Sequence, residues 1–368
     1  MDGRALCRKV SADERASLRR EPARTGNRMR RAAVAQVVKT PDGRKLSVEV
    51  TGHPTGEPVF LLHGTPGSLL GPRPRGIFLY RLGIRLISYN RPGYPGSDRV
   101  NNRIVADAAA DVDAIARHFG LDRFSVIGRS GGAPHALACA ADERLRDRLI
   151  CTAALSSLAP YDAEDLDWFA DMAESNVEAY HNAAESDLQA LVATFKQTAR
   201  QVRNNSQGLL NTLRPELVDS DKQVMGDIAL RRIIARTHAE ALRESVHGWI
   251  DDVIALARPW YVDFSGITRP VLLWHGDEDV FSPAGHTRWL NKKIDGSELR
   301  LPTGAAHFEA ITILPEILGW VLETVNEVTP VTVPAVARSE GLRIDHAEQS
   351  TVDAGLGHLR MLSPEHVG

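Results

Sequence analysis

Cysteine is scarce in this chain. Of 368 residues only Cys7, Cys139 and Cys151 carry a thiol, too few and too scattered for a disulfide framework or a zinc ribbon. A reducing, cytoplasmic setting is the expectation. An excess of one charge is also lacking: the formal net charge is −3, which supplies neither a basic field for nucleic acid nor a strongly acidic tail. No apolar run reaches the 18 or so residues that a membrane span needs. The N-terminus has no apolar segment of the kind a secretory signal carries. The sequence shows no internal repeats and no low-complexity tracts.

What remains is an ordinary globular composition, 43% apolar and 25% charged, in a chain long enough to bury a large core without staples. Its length suggests about two folded units. Residues 1–31 stand apart, with ten Lys and Arg against four Asp and Glu and little apolar content. That balance predicts a basic flexible arm, within which Met29 is a second candidate for the true start.

From Ala32 the pattern tightens. Val34–Val38 and Leu46–Val50 are β-branched segments either side of a Pro41-Asp42-Gly43 turn. Val59–Leu62 and Ile84–Tyr89 are apolar without alternation, as strands buried on both faces of a parallel sheet must be. Asp107–Phe119 has helical spacing and stops at Gly120; Phe124–Ile127 reads as a strand and Ala133–Ala141 as a helix. The alternation predicts an α/β fold, a mostly parallel central sheet flanked by helices. Between 160 and 263 strand signals vanish. Helices are predicted there over Leu166–Met172, Leu188–Val202, Asp227–Leu242 and Trp249–Ala257, forming an insertion between strands. Val271–Trp274 and Glu298–Leu301 restore the strand pattern, and Ile311–Val325 reads as a closing amphipathic helix. The expected division is an arm over 1–31, a core over 32–159 and 264–328, a helical insertion over 160–263 and a tail over 329–368.

The chemistry concentrates in three loops. Gly128-Arg129-Ser130-Gly131-Gly132 lies between a strand and a helix, the context in which G-x-S-x-G lifts a serine onto a sharp turn beside a helix N-terminus. A serine hydroxyl is a poor nucleophile unless a base, oriented by an acid, takes its proton. In this architecture the chain order is serine, acid, histidine. His307, in Gly304-Ala305-Ala306-His307-Phe308, is the candidate base. Asp279, in the loop His275-Gly276-Asp277-Glu278-Asp279, is the candidate acid, because it lies deep enough in the loop to turn back. Asp277, nearer the strand, is better placed to bind backbone amides. A metal reading of His275, Asp277 and Asp279 has no second histidine or ligand spacing behind it. Oxyanion donors are expected from the amides of Gly131 and of Thr65, within His63-Gly64-Thr65-Pro66-Gly67. Arg129 either shapes the charge of the site or pairs with an acid. His135, His247 and His286 are expected to be surface or helix residues without a catalytic role. Trp168, Phe169, Trp249 and Trp260 are expected to pack the insertion, with one or two lining an apolar pocket.

Taken together and in this order, these motifs resemble those of the α/β-hydrolase-fold serine hydrolases, including capped esterases and proline iminopeptidase-like relatives. Arg91-Pro92-Gly93-Tyr94-Pro95-Gly96-Ser97 is similar to their loop after the fourth strand. The resemblance spans roughly Ala32 to Val325 and implies that 160–263 is a cap over the active site. A serine, not an aspartate, stands at 130, which argues against dehalogenase or epoxide hydrolase chemistry. The expected activity is hydrolysis of a carboxylic ester, lactone or thioester through an acyl-enzyme, with Ser130, Asp279 and His307 as the triad. Its substrate is expected to be a small ester-type molecule. No cofactor or metal is required, and neither nucleic acid nor membrane is an expected partner. The alternatives are an aminopeptidase of proline iminopeptidase type, a cofactor-free perhydrolase, and a non-catalytic ligand-binding protein on the same fold. An iminopeptidase needs acidic cap residues for a free amino terminus, for which Glu164, Asp165, Asp167, Asp171 and Glu174 are the candidates.

Overall fold

The computed structural model describes residues 35–185 and 188–328; the arm expected over 1–31 and the tail over 329–368 lie outside them. Eight strands form one sheet: β1 (Gln36–Lys39), β2 (Lys45–Gly52), β3 (Glu57–Leu62), β4 (Ile84–Tyr89), β5 (Phe124–Arg129), β6 (Leu149–Leu155), β7 (Val271–Trp274) and β8 (Glu298–Arg300). Their spatial order is β1-β2-β4-β3-β5-β6-β7-β8. The β1–β2 hairpin is antiparallel, and β2 runs antiparallel to β4. From β4 to β8 every pairing is parallel. The register sets Leu62 beside Gly128 and Leu155 beside Trp274. The C-terminal ends of β3, β5, β6 and β7 therefore meet at one rim, where open α/β sheets place ligands.

Helices α1 (Gly76–Arg81), α2 (Ala108–His118) and α3 (Ala133–Ala141) alternate with the strands. Six more then follow one another between β6 and β7: α4 (Glu174–Ala184), α5 (Leu188–Asn204), α6 (Gly208–Leu213), α7 (Asp219–Val224), α8 (Ile228–Ala241) and α9 (His247–Leu256). The domain closes with α10 (Ala284–Lys293), α11 (Glu309–Thr312) and α12 (Leu314–Val328). Successive strand residues point to opposite faces, and β3 shows the consequence. Phe60 and Leu62 pack with Ile115 of α2, Leu137 of α3 and Leu290 of α10. Val59 and Leu61 pack with Leu79 of α1 and with Ile317 and Val321 of α12. Both faces are covered, which is why Val59–Leu62 of β3 reads as an unbroken apolar run, while β4 carries Arg85 and Ser88 among its apolar residues.

The inserted helices have a core of their own. On α5, Leu191, Phe195, Ala199 and Val202 recur at helical spacing and meet Trp168, Leu209, Ile250 and Trp260. Asp227 starts α8 by accepting from the amides of Ala229 and Leu230 at 2.7 and 3.1 Å. Among the described residues no helix is long and apolar enough to cross a membrane.

Two local expectations are corrected. Leu166–Met172 is a succession of turns, not a helix; Asp165 and Asp171 at its edges take left-handed backbones with φ of 62° and 63°, and Trp168 donates its indole N–H to Ala159 O at 3.1 Å. The closing helix is two, α11 and α12, with Pro315 in the first turn of α12, where its missing N–H is harmless. Strand β6 and the short helices α1, α4, α6, α7 and α10 are additional to the sequence reading.

Candidate active site

Strand β5 ends at Arg129 and the chain enters α3 through Ser130, Gly131 and Gly132. Ser130 has φ of 51°, a left-handed backbone that costs a non-glycine residue on the order of 1–2 kcal/mol. Close packing holds it there. A Cβ on Gly128 would come 2.3 Å from Gly132 O. One on Gly131 would come 2.2 Å from Thr65 Oγ1 and 3.3 Å from Thr65 N. One on Gly132 would come 2.5 Å from His63 O, so the elbow lies directly against the His63–Gly67 loop, with Gly131 next to Thr65. The Thr65 amide donates to no protein acceptor among the described residues.

At the next part of the rim, the loop after β7 carries Asp279 and the loop after β8 carries His307. His307 Nδ1 donates to Asp279 Oδ2 at 2.8 Å. The other carboxylate oxygen accepts from the amides of Phe281 and Ser282, each at 2.9 Å. Burial alone would raise the Asp279 carboxyl. The His307 imidazole and the bonds from His275 and His307 reverse that and hold it below the usual carboxylate range. With Nδ1 occupied, Nε2 is the His307 nitrogen left for the cavity. Asp277 accepts from Gly304 N at 2.8 Å and so ties the two loops together. His275, Asp277 and Asp279 do not converge on one point as metal ligands would: His275 is wholly buried, its Nδ1 2.5 Å from Thr287 Oγ1 and its Nε2 3.3 Å from Asp279 Oδ2.

Sequence reasoning missed a third group. Asp252 of α9 is fully buried and accepts from four side chains: Thr65 Oγ1 at 2.7 Å, Tyr94 Oη at 2.7 Å, and the guanidinium groups of Arg91 and Arg103, each at 2.5 Å. Arg91 also donates to the carbonyls of His63 at 2.5 Å and Gly64 at 3.1 Å. Burial would raise the Asp252 carboxyl, but Arg91 and then Arg103 hold it well below its ordinary range. The inserted helices thus grip the loop that carries Thr65. The only hint in the sequence was Arg91 and Tyr94 within the loop after β4, and Asp252 gave no signal.

Ser130, His307, Thr65, Gly131 and Arg129 all line one cavity of about 290 Å³. The insertion supplies both apolar lining residues, Phe195, Leu209, Leu213, Trp249 and Val253, and polar ones, among them Thr194, Thr198 and His238. Trp249 stacks on Phe195 with ring centroids 3.7 Å apart, whereas Trp168 and Trp260 are buried in the insertion's core. His135 and His286 are helix residues but buried, not exposed; His247 opens α9 at the surface. Glu164, Asp165, Asp167, Asp171 and Glu174 are exposed, and none lines the cavity. A hydroxyl on a sharp turn, an imidazole backed by a carboxylate and two adjacent amides suit attack on a carbonyl carbon.

Comparison with known proteins agrees on the fold. The chain is 32% identical over 136 residues to a proline iminopeptidase of Xanthomonas citri, a match covering 36% of this chain and 42% of that protein. The chain thus spans less than half the length of the curated relatives it matches. Among solved structures it resembles a bromoperoxidase from Bacillus anthracis, with 19% identity, a TM-score of 0.59 and coverage of 79% of this chain and 99% of that one. It also resembles a thermophilic esterase from Thermogutta terrifontis, with 21% identity, a TM-score of 0.57 and coverage of 80% and 99%. At these identities the structural likeness concerns the fold alone. The profile of the alpha/beta hydrolase fold matches residues 57–312, well over half of the sequence, and the chain belongs to that family.

Proposed function

We propose that the protein is a serine hydrolase that cleaves a carboxylic ester, a lactone or a thioester of a small molecule through an acyl-enzyme. Ser130 Oγ attacks the carbonyl carbon while His307 Nε2 takes its proton. The amides of Thr65 and Gly131 receive the charge on the carbonyl oxygen. The tetrahedral adduct collapses, its leaving group is protonated by His307, and the acyl group stays on Ser130. Water, deprotonated by the same imidazole, then attacks the acyl carbon and frees the acid. Asp279 keeps Nδ1 protonated and stabilises the imidazolium. The observation that carries this reading is the Asp279–His307 contact of 2.8 Å at the cavity that Ser130 and Thr65 also line. The proposed setting is cytoplasmic, in keeping with Cys139 and Cys151, which are buried and free.

A fluorophosphonate probe tests it. Covalent labelling of Ser130, lost in Ser130→Ala and in His307→Ala, is the expected result; an unlabelled, folded wild type would leave a ligand-binding protein instead. Ser130→Ala should lower kcat on any ester substrate by several orders of magnitude. An aminopeptidase of proline iminopeptidase type is the second reading, favoured by the relatives at 32% identity. Glu164, Asp165, Asp167, Asp171 and Glu174 are too far out to serve it, so Glu178, which lines the cavity, is the acidic side chain left to meet a free amino terminus. Turnover of prolyl amides in preference to esters would establish it, and peracid formation would establish a perhydrolase.

A further inference from the structure

Arg129 is the one Lys or Arg among the described residues that line the cavity, and the reaction above leaves it unused. Its side chain is mostly buried, and among the described residues it forms no ion pair and no hydrogen bond. The two fully buried arginines among the described residues, Arg91 and Arg103, share the Asp252 carboxylate. An unpaired, desolvated guanidinium is costly to keep. The position is specific as well. A Cβ on Gly64 would sit 3.4 Å from Ser130 Cβ and 3.6 Å from Arg129 Nη2, so the nucleophile and the guanidinium flank the same glycine. Burial pulls the guanidinium down only to about 10, which leaves it charged at neutral pH. From the insertion, His238 of α8 lines the same cavity and has a buried Nδ1 with no partner. Burial, then the charge of Arg129, holds its imidazole at about 3, so it is a neutral polar neighbour and adds no positive charge. Glu178 also lines the cavity but is exposed, so water screens its charge. Arg129 borders a second crevice of about 10 Å³, room for roughly one water and for no counter-ion.

We infer that Arg129 is a specificity-determining residue that binds a carboxylate on the substrate, and that the substrate class is monoesters or lactones bearing a free carboxylate a short chain from the scissile carbonyl. One unpaired guanidinium matches one carboxylate by a bidentate pair. The apolar side chains of Phe195, Leu209 and Trp249 in the same lining accept the rest of the molecule. A free ammonium group, as an aminopeptidase substrate presents, meets repulsion at the same place. The inference deepens the hydrolase reading and rests on Ser130 as its nucleophile.

The test compares monoethyl glutarate with ethyl valerate, which replaces the carboxylate by a methyl group, followed by pH-stat with the full-length protein. Glutarate, which has no bond to cleave, is titrated in parallel by calorimetry. Wild type should prefer the glutarate ester in kcat/KM by about tenfold or more, and Arg129→Gln should abolish that preference together with glutarate binding. Arg129→Lys, which keeps the charge, should retain part of both and so separates lost recognition from lost folding. A wild-type preference for ethyl valerate, or a preference unchanged in Arg129→Gln, would overturn the inference. If fluorophosphonate labels Ser130 but glutarate does not bind wild type, the inference fails and the hydrolase reading stands. If glutarate binds through Arg129 but no ester is cleaved, the carboxylate site stands and the hydrolase reading fails.

Discussion

Asp279 divides its two oxygens between two tasks. Oδ1 is fixed by the Phe281 and Ser282 amides, so that Oδ2 points at His307 without a conformational search. Replacing the carboxylate by an amide keeps the shape and loses both the charge and the certainty of which His307 nitrogen carries the proton. Asp279→Asn should therefore reduce kcat by about 10³ or more, and slow fluorophosphonate labelling of Ser130 in parallel. Labelling at the wild-type rate would mean that His307 is oriented by something other than Asp279.

At the scale of elements, the active rim is a joint between the sheet and the inserted helices. Asp252 on α9 holds Thr65 and Arg91, and Arg91 holds the carbonyls of His63 and Gly64. Removing Asp252 leaves two guanidinium groups buried with no counter-charge, a loss of about 3–5 kcal/mol. Asp252→Ala should show that loss in urea unfolding. In the fraction that folds, kcat should fall more than KM rises, because in the proposed reaction an unanchored Thr65 amide would weaken support for the oxyanion and not for the bound ester. An unaltered kcat would detach Asp252 from the chemistry and leave it a purely structural charge.

Legibility in the sequence followed range. Where a segment's burial is decided locally, the residues announced it: Ile84–Tyr89, Ala133–Ala141 and Val271–Trp274 match their observed bounds. So did the Gly128–Gly132 elbow, because a sharp strand-to-helix turn needs small residues at fixed offsets. Leu149–Leu155 did not, since Ile-Cys-Thr-Ala-Ala suits a helix as well as a strand and only pairing with β5 and β7 decides it. Leu166–Met172 misled because its apolar residues serve separate contacts and not one helix face. The Asp252 cluster joins residues 149 to 187 positions apart, and no pattern along the chain encodes such a meeting. Arg129 was visible, but its lack of a partner is a fact of three dimensions.

For the whole molecule, the pH dependence of stability should carry the mark of another joint. Asp221 on α7 accepts from Phe308 N at 2.8 Å, next to His307, while its other oxygen is buried without a partner. Burial pushes this carboxyl up to about 6, although the His307 imidazole and the Phe308 amide pull the other way. The folded value thus lies above the unfolded one of about 3.9. Below about pH 4 both states hold the proton and its stabilising contribution is complete. As pH rises towards 6 the unfolded chain releases the proton first, and that contribution is lost, gone entirely above the folded value. Asp221→Asn keeps an acceptor for Phe308 N and is neutral at every pH. Its melting temperature should match wild type near pH 4 and exceed it at pH 7.5, by an amount equivalent to roughly 1–3 kcal/mol. Thermal melts of both proteins at pH 4, 6 and 7.5 measure the gap. A gap of constant size would show that the substitution acts through packing between α7 and the histidine loop and not through the proton.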